Sequence, residues 1–69
     1  MIDPEELAVN KRCLSPSGIL FEILHLGSHG QDCSIGMVVY TNLEPTYDYP
    51  IGKIWVISES LFIKQFTLI

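Results

Sequence analysis

The sequence predicts a mainly β protein, either a small, partly open barrel or a strongly bent sheet of four or five antiparallel strands. Short segments rich in apolar and β-branched residues recur along the chain, and turn residues separate them. The length of 69 residues fits one small domain spanning residues 1–69. No internal repeat or linker divides it.

The first residues are typical of a helix N-terminus. Asp3 is a good N-cap, Pro4 suits the first helical position, and Glu6 follows Asp3 by three residues, as in a capping box. Acidic side chains in a first turn also interact favourably with the helix dipole. Because residues 10–12 do not continue an apolar stripe, we expect this N-terminal helix to be short.

Four or five segments are predicted as strands. The segment 19–26 is largely apolar on both faces, and 35–40 is rich in β-branched and aromatic residues. A single helical turn capped by Ser58 is expected at residues 58–62. The predicted strands are residues 11–14, 19–26, 35–40, 53–57 and 64–69.

The connection 41–52 contains two prolines and two tyrosines and is predicted to be an exposed loop. Tyrosine is favoured in binding sites because it buries a large area while few rotatable bonds are frozen. Two interpretations stay open: the loop tyrosines bind a partner, or they fold back to cap an open barrel end. Trp55 is predicted to be a core residue rather than part of a binding patch. The candidate binding residues are Tyr40, Glu44, Tyr47, Asp48 and Tyr49.

Composition and charge exclude several classes of protein. A content of 48% apolar and 17% charged residues argues against disorder. A net charge of -4 argues against indiscriminate nucleic-acid binding, which needs a basic surface. The apolar content predicts either a rich core or apolar surface that faces a partner. The longest stretch without a polar residue, 35–40, is too short to span a bilayer.

The N-terminal residues are acidic and lack the apolar stretch of a signal peptide. We therefore expect a cytoplasmic protein whose two cysteines are reduced and which has no membrane contact.

Two cysteines and two histidines give the ligand count of a structural zinc site. They are Cys13, His25, His29 and Cys33. The close Cys-x2-Cys pair that pre-places two thiolates is absent, so a metal is disfavoured and no cofactor is predicted.

Catalytic patterns are weak. Cys33 lies near His29 and Asp32 in sequence, but nucleophilic catalysis requires a spatial arrangement that sequence proximity does not provide. The remaining acids are scattered, and the glycines do not match phosphate-binding spacings. The chain is therefore predicted not to be an enzyme.

Residues 18–62 resemble a family of short uncharacterised bacterial and phage domains. The family reads roughly Tyr-Glu-Val-Leu, His, Val-Val-Tyr, Leu-Trp-Val-Arg-Pro and Met-Phe. Here the matching residues are Phe21-Glu22-Ile23-Leu24, His29, Val38-Val39-Tyr40, Leu43, Gly52-Lys53-Ile54-Trp55-Val56 and Leu61-Phe62. The resemblance implies an SH3-like small barrel and no known activity.

This chain departs from the family at two places. Ile57-Ser58 replaces the family's Arg-Pro, and residues 11–14 lack an aromatic and histidine pair. A function that depends on that arginine is therefore in doubt here.

Tyr47-Asp48-Tyr49 also resembles part of the Ala-Leu-Tyr-Asp-Tyr motif of SH3 domains, which lies on their polyproline-binding face. It comes late in the chain and lacks the accompanying tryptophan pair, so we interpret it as a local coincidence.

The leading hypothesis for function is a non-catalytic protein-interaction module with an unidentified protein partner, for which a basic surface on a nucleic-acid-handling protein is one candidate. The alternative is a structural protein that forms a homodimer through an edge strand at residues 66–69. A small zinc-binding protein is a third, weaker hypothesis.

Overall fold

Five antiparallel strands form one open sheet in the computed structural model, which describes all 69 residues. The strands are β1 (Arg12–Leu14), β2 (Leu20–Ser28), β3 (Gly36–Asn42), β4 (Ile54–Ser58) and β5 (Thr67–Leu68). Their spatial order is β4-β3-β2-β1-β5, so β4 and β5 are the two edges. A single α-helix, α1 (Glu59–Gln65), connects these edge strands. The mainly β, antiparallel prediction is confirmed.

The N-terminal segment forms one 3-10 turn, Pro4–Glu6, instead of the short helix that was predicted. Asp3 does cap it, since its Oδ1 accepts a hydrogen bond from the Glu5 N–H at 3.0 Å. Ile2 is buried, and its N–H donates to the Ile63 carbonyl oxygen at 2.8 Å. Leu7 is already extended, so only one turn fits between these two points.

The β2–β3 hairpin is longer than predicted. β2 continues to Ser28, which pairs with Gly36, and the ladder is irregular between Ile23 and His25. Before that irregularity β2 contributes buried side chains, and after it every residue is exposed. The first half of the strand therefore builds the core, while the second half and the loop that follows extend into solvent.

The helix α1 begins at Glu59 and is longer than the single turn predicted at residues 58–62, and the Ser58 side chain makes no capping hydrogen bond to it. It runs to Gln65 because Phe62 and Phe66, four residues apart, both pack into the core with rings stacked 4.3 Å apart. This length leaves two residues for β5, fewer than the predicted 64–69. No helix has both the length and the apolar character needed to cross a membrane.

The core lies on one face of the sheet, and Tyr40 is at its centre. The Tyr40 ring lies 5.1–5.4 Å from the rings of Phe21, Phe62 and Phe66, in edge-to-face arrangements. Such aromatic pairs stabilise a fold beyond the area they bury. The buried apolar residues are Ile2, Cys13, Phe21, Ile23, Val38, Tyr40, Phe62 and Phe66.

Candidate functional site

A groove with a volume of about 430 Å³ opens between the β1–β2 turn and the loop that joins β3 to β4. We call it the aromatic groove. Its floor consists of Phe21, Tyr40 and Trp55, and its walls come from the two connecting segments. The lining residues are Ser15, Ser17, Ile19, Phe21, Tyr40, Thr46, Tyr47, Asp48, Tyr49 and Trp55.

Strand register creates the floor. Tyr40 on β3 pairs directly with Trp55 on β4, so their side chains lie on the same face, with nearly parallel rings 6.5 Å apart. Phe21 on β2 reaches Tyr40 from the other side at 5.4 Å. Phe21 and Tyr40 are buried, and Trp55 is half-buried. The floor is therefore continuous with the core, and Trp55 belongs to both.

Asn42, the last residue of β3, holds the wall loop in place from a fully buried position. Its Nδ2 donates to the carbonyl oxygens of Glu44 and Pro50, both at 2.9 Å. Its Oδ1 accepts from the Lys53 N–H at 3.1 Å and from the Trp55 indole N–H at 3.2 Å. One side chain thus joins both ends of the loop to the floor.

Sequence reasoning missed Asn42 because residues 41–52 were predicted to be an exposed loop. In the structure Thr41 and Asn42 are the buried end of β3. One feature of the sequence could have indicated this role: an asparagine at the start of a proline-containing loop often forms side-chain hydrogen bonds to the nearby backbone.

The loop tip is a tight turn. The Thr46 N–H donates to the Tyr49 carbonyl oxygen at 2.9 Å, and the Tyr49 N–H donates to Thr46 Oγ1 at 3.1 Å. This turn leaves Tyr47 fully exposed and places Asp48 beside it. Glu44, another predicted binding residue, does not line the groove. It links the loop to β2, because its Oε1 accepts a hydrogen bond from the Leu20 N–H at 2.8 Å.

Tyr49 packs back onto the floor, with its ring edge-to-face against Trp55 at 5.4 Å. The Lys53 ammonium lies 4.2 Å from the centre of the Tyr49 ring and 5.4 Å from that of Trp55, in cation–π geometry. The two loop tyrosines therefore differ: Tyr49 is fixed against Trp55, while Tyr47 makes no such contact.

Asp48 is the one charged residue among those that line the groove. Burial raises the pKa of Tyr40, and a further increase comes from the nearby Cys13. Burial also raises the pKa of Cys13 to about 11. Both groups are consequently neutral at physiological pH, and the Asp48 carboxylate determines the charge of the lining.

The cysteines and histidines occupy separate environments. Cys13 is in the core, where its Sγ donates to the Phe21 carbonyl oxygen at 3.8 Å. Cys33 is exposed in the β2–β3 loop, and His25 is exposed on β2. His29 Nδ1 accepts from the Gln31 N–H at 3.1 Å. No three His, Cys, Asp or Glu side chains form a group with metal-binding geometry.

Asp32 does not orient His29 towards Cys33. Its Oδ1 instead accepts from the Ser34 hydroxyl at 2.6 Å and from the Ser34 N–H at 3.0 Å. These hydrogen bonds lower the pKa of Asp32. The loop is thus a local turn stabilised by Asp32 and Ser34.

Comparisons with protein-family models, curated proteins and solved structures gave no match for this chain. The resemblance to a family of short bacterial and phage domains therefore stays a prediction. Any function has to be argued from the geometry and chemistry of the aromatic groove.

Proposed function

We propose that this protein is a non-catalytic interaction module that binds an extended segment of a partner protein in the aromatic groove. The observation that carries the proposal is Tyr47, which is fully exposed beside a floor of packed aromatic rings. An aromatic side chain buries 150–250 Å² when covered, and tyrosine does so at little cost in conformational entropy. A segment lying across the floor would cover Tyr47 and remove this ring from water.

The size of the groove supports a short peptide segment as the ligand. Its volume of about 430 Å³ is within the range of roughly 300–1,000 Å³ that is typical of ligand pockets. Asn42 fixes the wall loop before binding, so little of the loop has to be ordered when a ligand enters. Such preorganisation strengthens binding because the entropic cost is lower.

The lining predicts the chemistry of the segment. An apolar floor favours an apolar side chain, and the Asp48 carboxylate on the wall favours a basic one. Arginine suits this position best, since its guanidinium both pairs with carboxylates and stacks on tyrosine rings. The net charge of -4 would attract the same class of partner over a longer range. We therefore propose a segment with an apolar residue next to an arginine.

Selection from a phage-displayed library of random peptides tests this function. We expect enriched peptides to combine an apolar residue with arginine and to change Trp55 fluorescence on titration. The Tyr47→Ala substitution should weaken their binding about tenfold, as for a typical binding hot spot. Ile51→Ala is the matched control, because Ile51 is also exposed in this loop but does not line the groove.

A second variant tests the proposed attraction between the Asp48 carboxylate and an arginine of the bound peptide. Asp48→Asn should weaken arginine-containing peptides more than peptides without arginine, and it should reduce the dependence of affinity on salt. Peptides that bind wild type and Tyr47→Ala equally well would place the binding site outside the groove. A library that yields no enriched peptide would contradict the proposed function as a whole.

We also propose that the open sheet is a partly open, SH3-like barrel and that the protein works in the cytoplasm. Support for the first comes from five short antiparallel strands around one core and from the family resemblance. Support for the second comes from two free cysteines, of which Cys33 is exposed. Thiol titration of protein isolated without reductant should find Cys33 reduced.

A further inference from the structure

We propose that β4 is a self-pairing strand, through which two copies of this chain join into one continuous antiparallel sheet. β4 is an edge strand that pairs with β3 alone, so one side of its backbone offers free hydrogen-bonding groups. Natural edge strands are usually protected from such pairing by charged residues, proline or a bulge. Residues 54–57 contain no charge and no proline, and Ile54 and Val56 are 56% and 60% exposed.

The sequence around β4 is complementary to itself in one antiparallel register. With a two-fold axis at Val56, perpendicular to the sheet, each Val56 lies opposite the Val56 of the second copy. Trp55 then lies opposite Ile57 on the core face, while on the other face Val56 meets Val56 and Ile54 lies opposite Ser58. The two nearest charged residues, Lys53 and Glu59, lie three positions on either side of Val56. Continuing this register past both ends of β4 brings Lys53, which precedes the strand, near Glu59 of the other copy, the first residue of α1.

This charge complementarity selects the register. Moving the axis by one residue, to Trp55, places Lys53 opposite Ile57 and removes both ion pairs. Moving it to Ile57 places Lys53 opposite Leu61 instead. Both alternatives leave charged groups facing apolar ones, so a second copy paired about Val56 is the occupant that this edge fits.

The other edge strand, β5, has few backbone groups that could pair with a second copy. β5 has two residues, and the Ile69 N–H beyond it already donates to the Arg12 carbonyl oxygen at 3.2 Å. The homodimer predicted through residues 66–69 would have to form on this short strand. The structure favours β4 for the same role because β4 has five residues and an exposed apolar face.

The oligomeric state of the full chain tests the proposal. Sedimentation velocity from micromolar to millimolar concentration should show a monomer–dimer equilibrium. Val56→Lys brings two lysines together at the axis, and we expect it to weaken association roughly a hundredfold, since facing like charges are strongly unfavourable. Val56→Thr is the matched control and should associate like wild type, because it adds no charge and keeps a β-branched side chain.

A charge-swap pair tests the register. Lys53→Glu and Glu59→Lys should each weaken association, and the double variant should restore it. Within one chain Lys53 immediately precedes β4 and Glu59 immediately follows it, so restoration has to arise between copies. Circular dichroism and thermal melting of each variant separate lost association from lost folding. Tyr47→Ala should leave association unchanged, which separates this interface from the aromatic groove.

Two results would overturn the proposal. The first is a wild-type chain that is monomeric at every concentration. The second is a dimer that survives Val56→Lys but dissociates with Ile69→Lys, which would assign the interface to β5. Ile69 is 76% exposed, so that substitution is expected to leave the fold intact.

Discussion

Replacing Asn42 with alanine should destabilise the whole domain and also release the wall of the aromatic groove. The substitution removes all four hydrogen bonds of a fully buried amide. Two of the partners left behind, the carbonyl groups of Glu44 and Pro50, belong to exposed residues and can bond water instead. The N–H groups of Lys53 and Trp55 are half-buried, so they lose their partner at a greater cost.

The size of the effect follows from these environments. A typical hydrogen bond contributes about 1 kcal/mol net, and a buried group without a partner costs about 1–3 kcal/mol. Allowing for water at the two carbonyl groups, we expect the free energy of unfolding to fall by about 3 kcal/mol. Domains of this size have roughly 3–10 kcal/mol in total. The melting temperature should therefore fall by about 10–20 °C.

Urea denaturation followed by Trp55 fluorescence measures this change, and amide hydrogen exchange shows where it begins. Residues 43–53 should exchange faster than the rest of the sheet in Asn42→Ala. The control is Thr46→Ala, which removes two exposed hydrogen bonds within the loop tip only and should cost less than about 1 kcal/mol, because water can replace them. A melting temperature of Asn42→Ala close to that of wild type would refute the role assigned to this side chain.

Three further predictions concern the core and the turns. Burial raises the pKa of the Cys13 thiol from 9.0 to about 11, so between pH 9 and 11 the thiol ionises in the unfolded chain but not in the folded one. The free energy of unfolding should therefore be highest below pH 9 and should fall as the pH rises towards 11. Urea midpoints across this range should fall more for wild type than for Cys13→Ala, and equal slopes would contradict the assignment. Phe62→Ala should cost about 3–5 kcal/mol because the ring is fully buried, and a folded variant with near-native stability in thermal melting would be inconsistent with this packing. Gly52→Ala should cost about 1–2 kcal/mol by denaturant titration, since Gly52 has a φ of 95°, whereas Gly30→Ala, at a position with open space and no positive φ, should cost clearly less.

Strands β2, β3 and β4 were predictable because each of them carries an apolar pattern of its own, whereas β1 and β5 have only three and two residues. The ends of the strands were less predictable. Gly27 indicates a turn by itself, yet it pairs with Met37 because the exposed half of the hairpin tolerates a residue without a side chain. The length of α1 depends on Phe62 and Phe66 reaching one core, and that core also contains distant residues such as Phe21. Local sequence does not reveal such contacts.

In the candidate site, too, some residues could be predicted from the sequence and others could not. The wall residues Tyr47, Asp48 and Tyr49 were found from composition alone, as aromatic and acidic residues between prolines. Phe21 was not, because its place in the floor depends on the register between β2 and β3. Whether an exposed loop faces solvent or borders a groove is likewise decided by strands that are far away in sequence.

Tyr40 has a double position: one part of its ring packs within the core, and another part is the groove floor. A substitution there would alter both the core packing and the shape of the groove floor, so the two features depend on the same atoms. The loop tip around Tyr47 lies outside the core, so its sequence can change without disturbing the packing of the fold. Sequence changes are therefore tolerated more readily in the loop tip than in the floor, which every folded variant of this chain has to keep.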